Sequence, residues 1–559
     1  MSFKKRVAQL PFSEQKHQME QQLLSACRDG RIEEVKQLII KPNINPNYQD
    51  KYRQTPIWMA CYYRHIEIVR LLLNDERVDV NKTNNGATPF YVACQEGHIE
   101  IVKLLLNDDR VDTNKASGGW TPLLIACGKG HIEIVKLLLN DDRVDINKVL
   151  EGGATPFYIA CQNGHIEIIK LLLNDKRVET NKTNNNGATP FYTACQEGQI
   201  ETVKLLLNDK RVDINKANKN GSTPFYIVCY KGHIKIVKLL LKCDRVDTNK
   251  TNNNGATPFY AACQEGHIDI VKLLLTDQRI GINKAEKNNA TPFWIACQNG
   301  HIEIVNLLLN DERVDINKAM NDGWTPLYAI CFEGHIEIVK LLLNDQRVDI
   351  NKATPLYIAC QEGHIEIVEL LLNDTRVDVN KAKNGSWTSF HSACYYGHID
   401  IVKLLLNDKR VDINKEDKDG ITPFYITCQN GKTEIVKLLL NDERVDINKA
   451  DNYGLTPFII ACNNGEFEVV QYFLASGREI FLNAKDNEGK TAIDRAGKNG
   501  HKDIIESLKS FQSNPKDTRL KLRKQLGLHG NIYLLIWLLF FFHFLFLSTF
   551  NQKLLYRFF

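Results

Sequence analysis

A threonine recurs along almost the whole chain at a nearly fixed interval. Thr55, Thr88, Thr121, Thr155, Thr189, Thr223, Thr257, Thr291, Thr325, Thr354, Thr388, Thr422, Thr456 and Thr491 are 33 or 34 residues apart, except for steps of 29 before Thr354 and 35 before Thr491. This period constrains the fold more than any local propensity does. A unit of that size cannot cover its own apolar faces, so copies must stack and cover one another, as in a solenoid of helix pairs. The length of 559 residues would otherwise suggest several domains, and the repeat overrides that prior.

One unit, Ala87 to Lys115, shows the plan. Thr88 caps a helix with its hydroxyl, and Pro89 occupies the first helical position, where its missing N–H costs nothing. A short apolar helix is predicted from Phe90 to about Gln95, and Gly97 stops it in a left-handed conformation. His98 opens a second helix and is expected to help cap it. Ile99, Ile101, Val102, Leu104, Leu105 and Leu106 are too many for one narrow stripe, so this helix should be covered on most sides. Val111 to Lys115 reads as extended. Asn-Gly tips such as Asn84-Asn85-Gly86 and Asn220-Gly221 predict β-hairpin fingers between units. Between Asn351 and Thr354 only Lys352 and Ala353 remain, five residues short of the usual spacing. The stack should continue there with a shortened finger, 351–354. Thr388-Ser389 lacks the proline, and its unit is unusual at His391, Tyr395 and Tyr396.

Cysteine follows the same register. Fourteen of fifteen cysteines, from Cys27 and Cys61 through Cys462, hold one repeat position, and Cys243 alone does not. Packed helices lie roughly 8–10 Å apart, whereas a disulfide needs Cα atoms within about 7 Å. The fourteen should therefore be reduced core residues, which favours a reducing compartment. Cys243, in the turn after a second helix, should be an exposed thiol.

Thr-Pro twelve times, Gly-His ten times, the Ile-Val-x-Leu-Leu-Leu run and the Asp-Val-Asn stretch together resemble the ankyrin-repeat pattern, over roughly residues 21–510. The resemblance implies an all-α repeat solenoid of about fifteen stacked helix–turn–helix units with β-hairpin tips. It also implies partner contact through the tips and the adjacent helix face. One departure is consistent: where that family has histidine after Thr-Pro-Leu, this chain mostly has tyrosine, as at Tyr91, Tyr158, Tyr192, Tyr226, Tyr260, Tyr328, Tyr357 and Tyr425. The family's histidine bond between repeats is therefore not implied at this position, and the tyrosines are expected to pack, with hydroxyl bonding or partner contact as alternatives.

The ends differ from the array. Residues 1–20 are polar, with Lys4, Lys5 and Arg6 but no apolar core, so they do not read as a secretory signal. Residues 21–40 read as a worn first repeat and N-terminal cap, and Thr491 to Phe511 as a polar C-terminal cap. Residues 511–530 form a basic linker with Lys516, Arg519, Lys521, Arg523 and Lys524. Residues 531–550 contain no formally charged side chain. At 1.5 Å per residue, twenty helical residues span about 30 Å, the thickness of a bilayer core. This segment is the candidate transmembrane helix, followed by a short tail, 551–559. The basic flank places the repeats on the cytosolic side. A soluble cytosolic adaptor, with the apolar run packed or arising from an erroneous coding end, is the alternative. So is a subunit of an oligomeric membrane channel or transport assembly.

Charge and motif bound the function. Net charge is +4, and the last fifty residues carry about +6 of it, which leaves the array near neutral and a poor match for nucleic acid. Gly489-Lys490-Thr491 ends like a phosphate loop, but the glycine needed earlier is Ala484. His98-Ile99-Glu100 has the zinc-deaminase spacing without a Cys-x-x-Cys partner. Cys94 and His98 straddle a helix break, which disfavours a shared metal. No catalytic residue, cofactor site, metal site or small-molecule substrate is assigned. The reading is a non-enzymatic interaction scaffold for a protein partner, tethered at a membrane. Its candidate partner-binding residues are Trp120, Trp324, Trp387, Tyr395, Tyr396, Tyr230 and Phe332, at the variable repeat positions, where aromatics serve as interface anchors. For the three tryptophans the alternative is shielding of repeat junctions.

Overall fold

The computed structural model describes residues 12–384 and 386–528. Among these residues there are thirty-one helices, arranged as fifteen pairs and one further helix, and no named strands. They form two compact units divided within the helix Pro292–Gln298, the first ending at Ala296 and the second beginning at Cys297.

Within each unit the pairs follow one local grammar. In the pair Pro89–Glu96 and Ile99–Leu106, the Thr88 hydroxyl accepts the Tyr91 N–H at 3.0 Å. Gly97 closes the first helix at φ +80°. Phe90 to Cys94 are all buried, so this short helix is enclosed along its length. In the second helix Ile101, Val102 and Leu105 are wholly buried, while Ile99, Leu104 and Leu106 keep part of their surface in water. The expectation of cover on most sides is corrected: one face is sealed and its flanks are half-covered, because its main neighbours are two second helices and one first helix.

The fourteen in-register cysteines are buried and unpaired, and Cys243 is partly exposed. Burial pushes the fourteen thiols well above their ordinary range, so they carry no reactive thiolate. A thiol-specific reagent should therefore label Cys243 alone in the native chain and all fifteen cysteines after denaturation. Rapid labelling of several native thiols would contradict the packed first helices.

The fingers are tight turns rather than hairpins. Three isolated bridges occur among the described residues, Asn84 with Ala87, Ser117 with Trp120, and Lys383 with Trp387. A finger of four or five residues is too short to extend a ladder. Asn85 at φ +47° and Gly86 at φ +90° give the first of these the positive dihedrals that Asn-Gly turns supply. Elsewhere a side chain braces the turn: the Asn184 side-chain oxygen accepts the N–H groups of Asn186 and Ala188 at 2.9 and 3.0 Å.

Two expectations for the segments outside the regular pairs need adjustment, and the shortened finger is as expected. The boundary at residue 20 falls inside the helix Phe12–Asp29, whose Leu23, Leu24, Ala26 and Cys27 are buried and whose Glu20 accepts the Asn45 N–H at 3.1 Å. The basic linker is largely the helix Pro515–Gln525, packed on Phe467–Ser476 and Lys502–Ser513. Leu522 is its buried anchor, and the Arg519 guanidinium lies 5.6 Å from the Phe511 ring centre. At the shortened finger both helices form, Pro355–Glu362 and Ile365–Asn373. There Thr354 sits at φ +57° and makes no capping bond, unlike its counterparts. The candidate transmembrane segment, 531–550, lies outside the described residues.

Candidate protein-interaction face

Polar side chains tie each repeat to the one before it, and so hold the first helices and fingers in register. His131 Nε2 donates to the Gln95 carbonyl at 3.0 Å and His267 Nε2 to the Tyr230 carbonyl at 2.9 Å; in the second unit His364 reaches Phe332 at 3.0 Å. A carbonyl only accepts, so Nε2 carries the proton. None of these histidines caps its own helix through its side chain, which corrects the capping role expected for His98: its Nε2 meets the Tyr62 carbonyl at 3.1 Å. Cys94 is buried in the preceding helix.

Two further ladders run beside it. Asn114 donates to the Arg143 carbonyl at 2.6 Å and accepts the Asp145 N–H at 2.7 Å. Arg143, held by Asp141, donates back to the Leu106 carbonyl at 2.6 Å, covering the open C-terminal end of a second helix. Sequence reading missed both, although the repeated Asp-x-Arg-Val-Asp-x-Asn pattern marks the positions.

The first helix and its finger enclose the tyrosine position. Tyr158 lies between Thr193, at 2.7 Å, and the Asn184 amide, at 2.9 Å. Tyr192 and Tyr226 each accept from the asparagine of the following finger at 3.1 Å. Tyr425 donates to Asp451 at 2.9 Å. The tyrosines are thus core residues, and Tyr158, Tyr192, Tyr226 and Tyr425 also bridge repeats. Where histidine replaces tyrosine, at His391, Nδ1 accepts the Thr388 N–H at 3.2 Å and Nε2 meets the Ile421 carbonyl at 3.0 Å.

Burial is the main cause that lowers the His391 pKa, against smaller opposing effects from the Ile421 carbonyl and nearby carboxylates. Its folded value therefore lies below its unfolded value near 6.5, which fixes the sign. His391 supports the fold fully above that pH and withdraws support as pH falls through it. The variant His391→Tyr, which installs the common repeat residue, should lose less stability than the native chain between about pH 7.5 and about pH 5.5 in denaturant titrations. Equal losses would contradict a neutral, buried imidazole.

The sequence-predicted aromatics fall into local clusters. Trp324 lies 4.8 Å from Tyr328 and 5.5 Å from Phe332, centre to centre. Trp387 repeats the arrangement, 6.3 Å from His391 and 5.1 Å from Tyr395, and its indole N–H donates to Asp417 at 3.0 Å. Tyr395 and Tyr396 stay exposed, 38% and 45%. In the first unit Tyr230 stacks on Tyr226 at 6.3 Å, and Trp120 lies over Gly128, where an added Cβ would meet it at 3.2 Å. Each tryptophan therefore covers the first helix of its own repeat. Within each unit these side chains sit on or beside the first helices of separate repeats. The reading also missed the aromatics Trp58, Tyr62 and Tyr63 near the N-terminal end, and Lys383.

The phosphate-loop lookalike is another finger. Lys490 N–H bonds the Asp486 carboxylate at 2.9 Å, and Thr491 caps the helix Ala492–Lys498.

Helix pairs of one grammar, joined by side-chain ladders and presenting a variable face, define a helix-pair repeat protein. A family model described as ankyrin repeats (three copies) matches residues 23–117, 76–149, 110–184, 142–218, 210–288, 278–353, 344–417 and 424–518. The chain belongs to the ankyrin-repeat family.

Proposed function

We propose that this protein is a non-enzymatic scaffold that binds protein partners through its first-helix and finger face, and that residues 531–550 tether it to a membrane with the repeats in the cytosol. The observation that carries the scaffold reading is the division of labour within each repeat. The positions that recur are buried or bridge to the neighbouring repeat, while aromatic variation gathers on one accessible face, as at Tyr395 and Tyr396. The ankyrin-repeat family membership supports the same reading.

The tether rests on sequence. Among the described residues no helix is long and apolar enough to cross a membrane. The uncharged run 531–550 is the segment with that composition, and it begins six residues after the helix Pro515–Gln525. Carbonate extraction of membranes from cells expressing the full chain, or a chain ending at Leu528, tests it. Ending there keeps the docked helix intact. Retention of the full chain alone supports the tether. Release of both leaves a scaffold without this anchor.

A further inference from the structure

The regular fingers are joined to one another through the backbone. In the first unit Lys219 N–H donates to the Asn186 carbonyl at 3.0 Å and Asn253 N–H to the Asn220 carbonyl at 2.9 Å. In the second unit Asn452 donates to Asp419 and Asn487 to Tyr453, both at 2.9 Å. The fingers are also in close contact: a Cβ added at Gly187 would meet Lys219 at 2.8 Å, and one added at Gly454 would meet Asn487 at 2.7 Å. Gly323 holds the same position in the finger before the shortened one, and a Cβ there would meet nothing within 4 Å. The missing five residues have left an empty finger slot.

That slot is an open cavity of about 530 Å³ between the turn Met320–Trp324 and the Lys383–Trp387 finger. Among the described residues the Asp322 carbonyl on one side accepts no hydrogen bond, and the Asn384 N–H on the other donates none. The Asp322 carbonyl is the acceptor that the joined fingers use, whereas Asn384 holds the donor's sequence position in a turn of another shape, at φ +53°. Lys383 leans across the slot to Tyr328, two repeats away, with Nζ 3.1 Å from the hydroxyl and 5.0 Å from the Tyr357 ring centre. An ammonium has three donors, and one is used. Lys381 lines the same space, while the Asp322 carboxylate is already engaged by the Trp324 N–H at 3.2 Å.

We propose that this slot receives a tight acidic turn from a partner polypeptide, which takes the place of the missing finger. Such a turn supplies an N–H for Asp322, a carbonyl for Asn384 and a carboxylate for Lys383. A free carboxylate ion offers only the last of these. The inference rests on the partner-binding reading above and places one contact within it.

The probe is a disulfide-closed peptide presenting an Asp-Asn-Gly-Asp turn, labelled and titrated by fluorescence polarisation against the full chain in detergent micelles. Its counterpart carries Lys for both Asp. The acidic peptide should bind the native chain at least about tenfold more tightly than the basic one, and Lys383→Met should weaken it about tenfold to a hundredfold, the loss of a charged hydrogen bond. Inserting five residues between Lys352 and Ala353 to rebuild the finger should abolish binding. Sodium acetate should not displace the peptide; displacement would reduce the site to a carboxylate subsite and overturn the turn-specific proposal. Absence of binding, equal binding of both peptides, or binding unchanged by Lys383→Met would also overturn it. If the insertion variant does not fold by circular dichroism, the lysine variant decides. Photo-crosslinkers at Tyr395 and Tyr396 separate the two readings. Partner adducts without peptide binding end this inference and leave the scaffold standing, whereas loss of both ends the scaffold as well.

Discussion

Replacing Leu105 with alanine should cost about 2–5 kcal/mol of stability, the range for truncating a fully buried leucine. Leu105 has no exposed surface, and it stands in the sealed face of Ile99–Leu106 with Ile101 and Val102. The vacated volume would lie in the buried core of the repeat, and helices tied by the histidine, asparagine and arginine ladders have little freedom to close over it. Contacts in such a stack are with the next repeat, so the loss should be concentrated nearby. Denaturant titration followed by hydrogen exchange of the segment 89–139 measures both size and spread. A change within about 0.5 kcal/mol, the usual size of a surface effect, would contradict the packing.

Gly232→Ala should be comparably harmful for a different reason. Gly232 has φ +80°, and an added Cβ would stand 2.7 Å from Cε1 of His267. The left-handed backbone costs about 1–2 kcal/mol in an L-residue, and displacing the ring forfeits its bond to the Tyr230 carbonyl, worth about 1–2 kcal/mol more. Gly477 is the internal control. It has φ +85° and nothing within 4 Å of an added Cβ, so Gly477→Ala should pay the backbone cost alone. Combining Gly232→Ala with His267→Ala should cost less than the two single changes together. Equal losses at Gly232 and Gly477, with additive behaviour at 232 and 267, would remove the ring from the explanation.

The repeated helices were legible because capping and burial are local. Thr88, Pro89 and Gly97 state where a helix starts and stops, and the phase of the Thr anchors states how often. The links between repeats were less legible, because they join residues some thirty positions apart. His98 looked like a cap when read within its own unit, and its partner belongs to the unit before. The signal was present as a polar residue repeated as faithfully as the leucines beside it, since solvent alone does not require such repetition. The docked helix Pro515–Gln525 was hidden for another reason: one buried leucine, Leu522, among many basic residues gives almost no apolar period. The candidate aromatics were legible as variable positions, but their clustering over separate first helices depends on finger conformation. The shortened finger was visible as a spacing, whereas the slot beside Asp322 and Lys383 required the geometry of two neighbouring repeats.

The claim that partners bind the first-helix and finger face is tested most directly within one repeat. A photo-crosslinkable residue is placed in turn at Tyr395, at Tyr396 and at Lys403, which is 52% exposed on the second helix, and the chains are irradiated in cells. Discrete protein adducts are expected from Tyr395 and Tyr396 and none from Lys403. Adducts from Lys403 alone, or from none of the three, would contradict it.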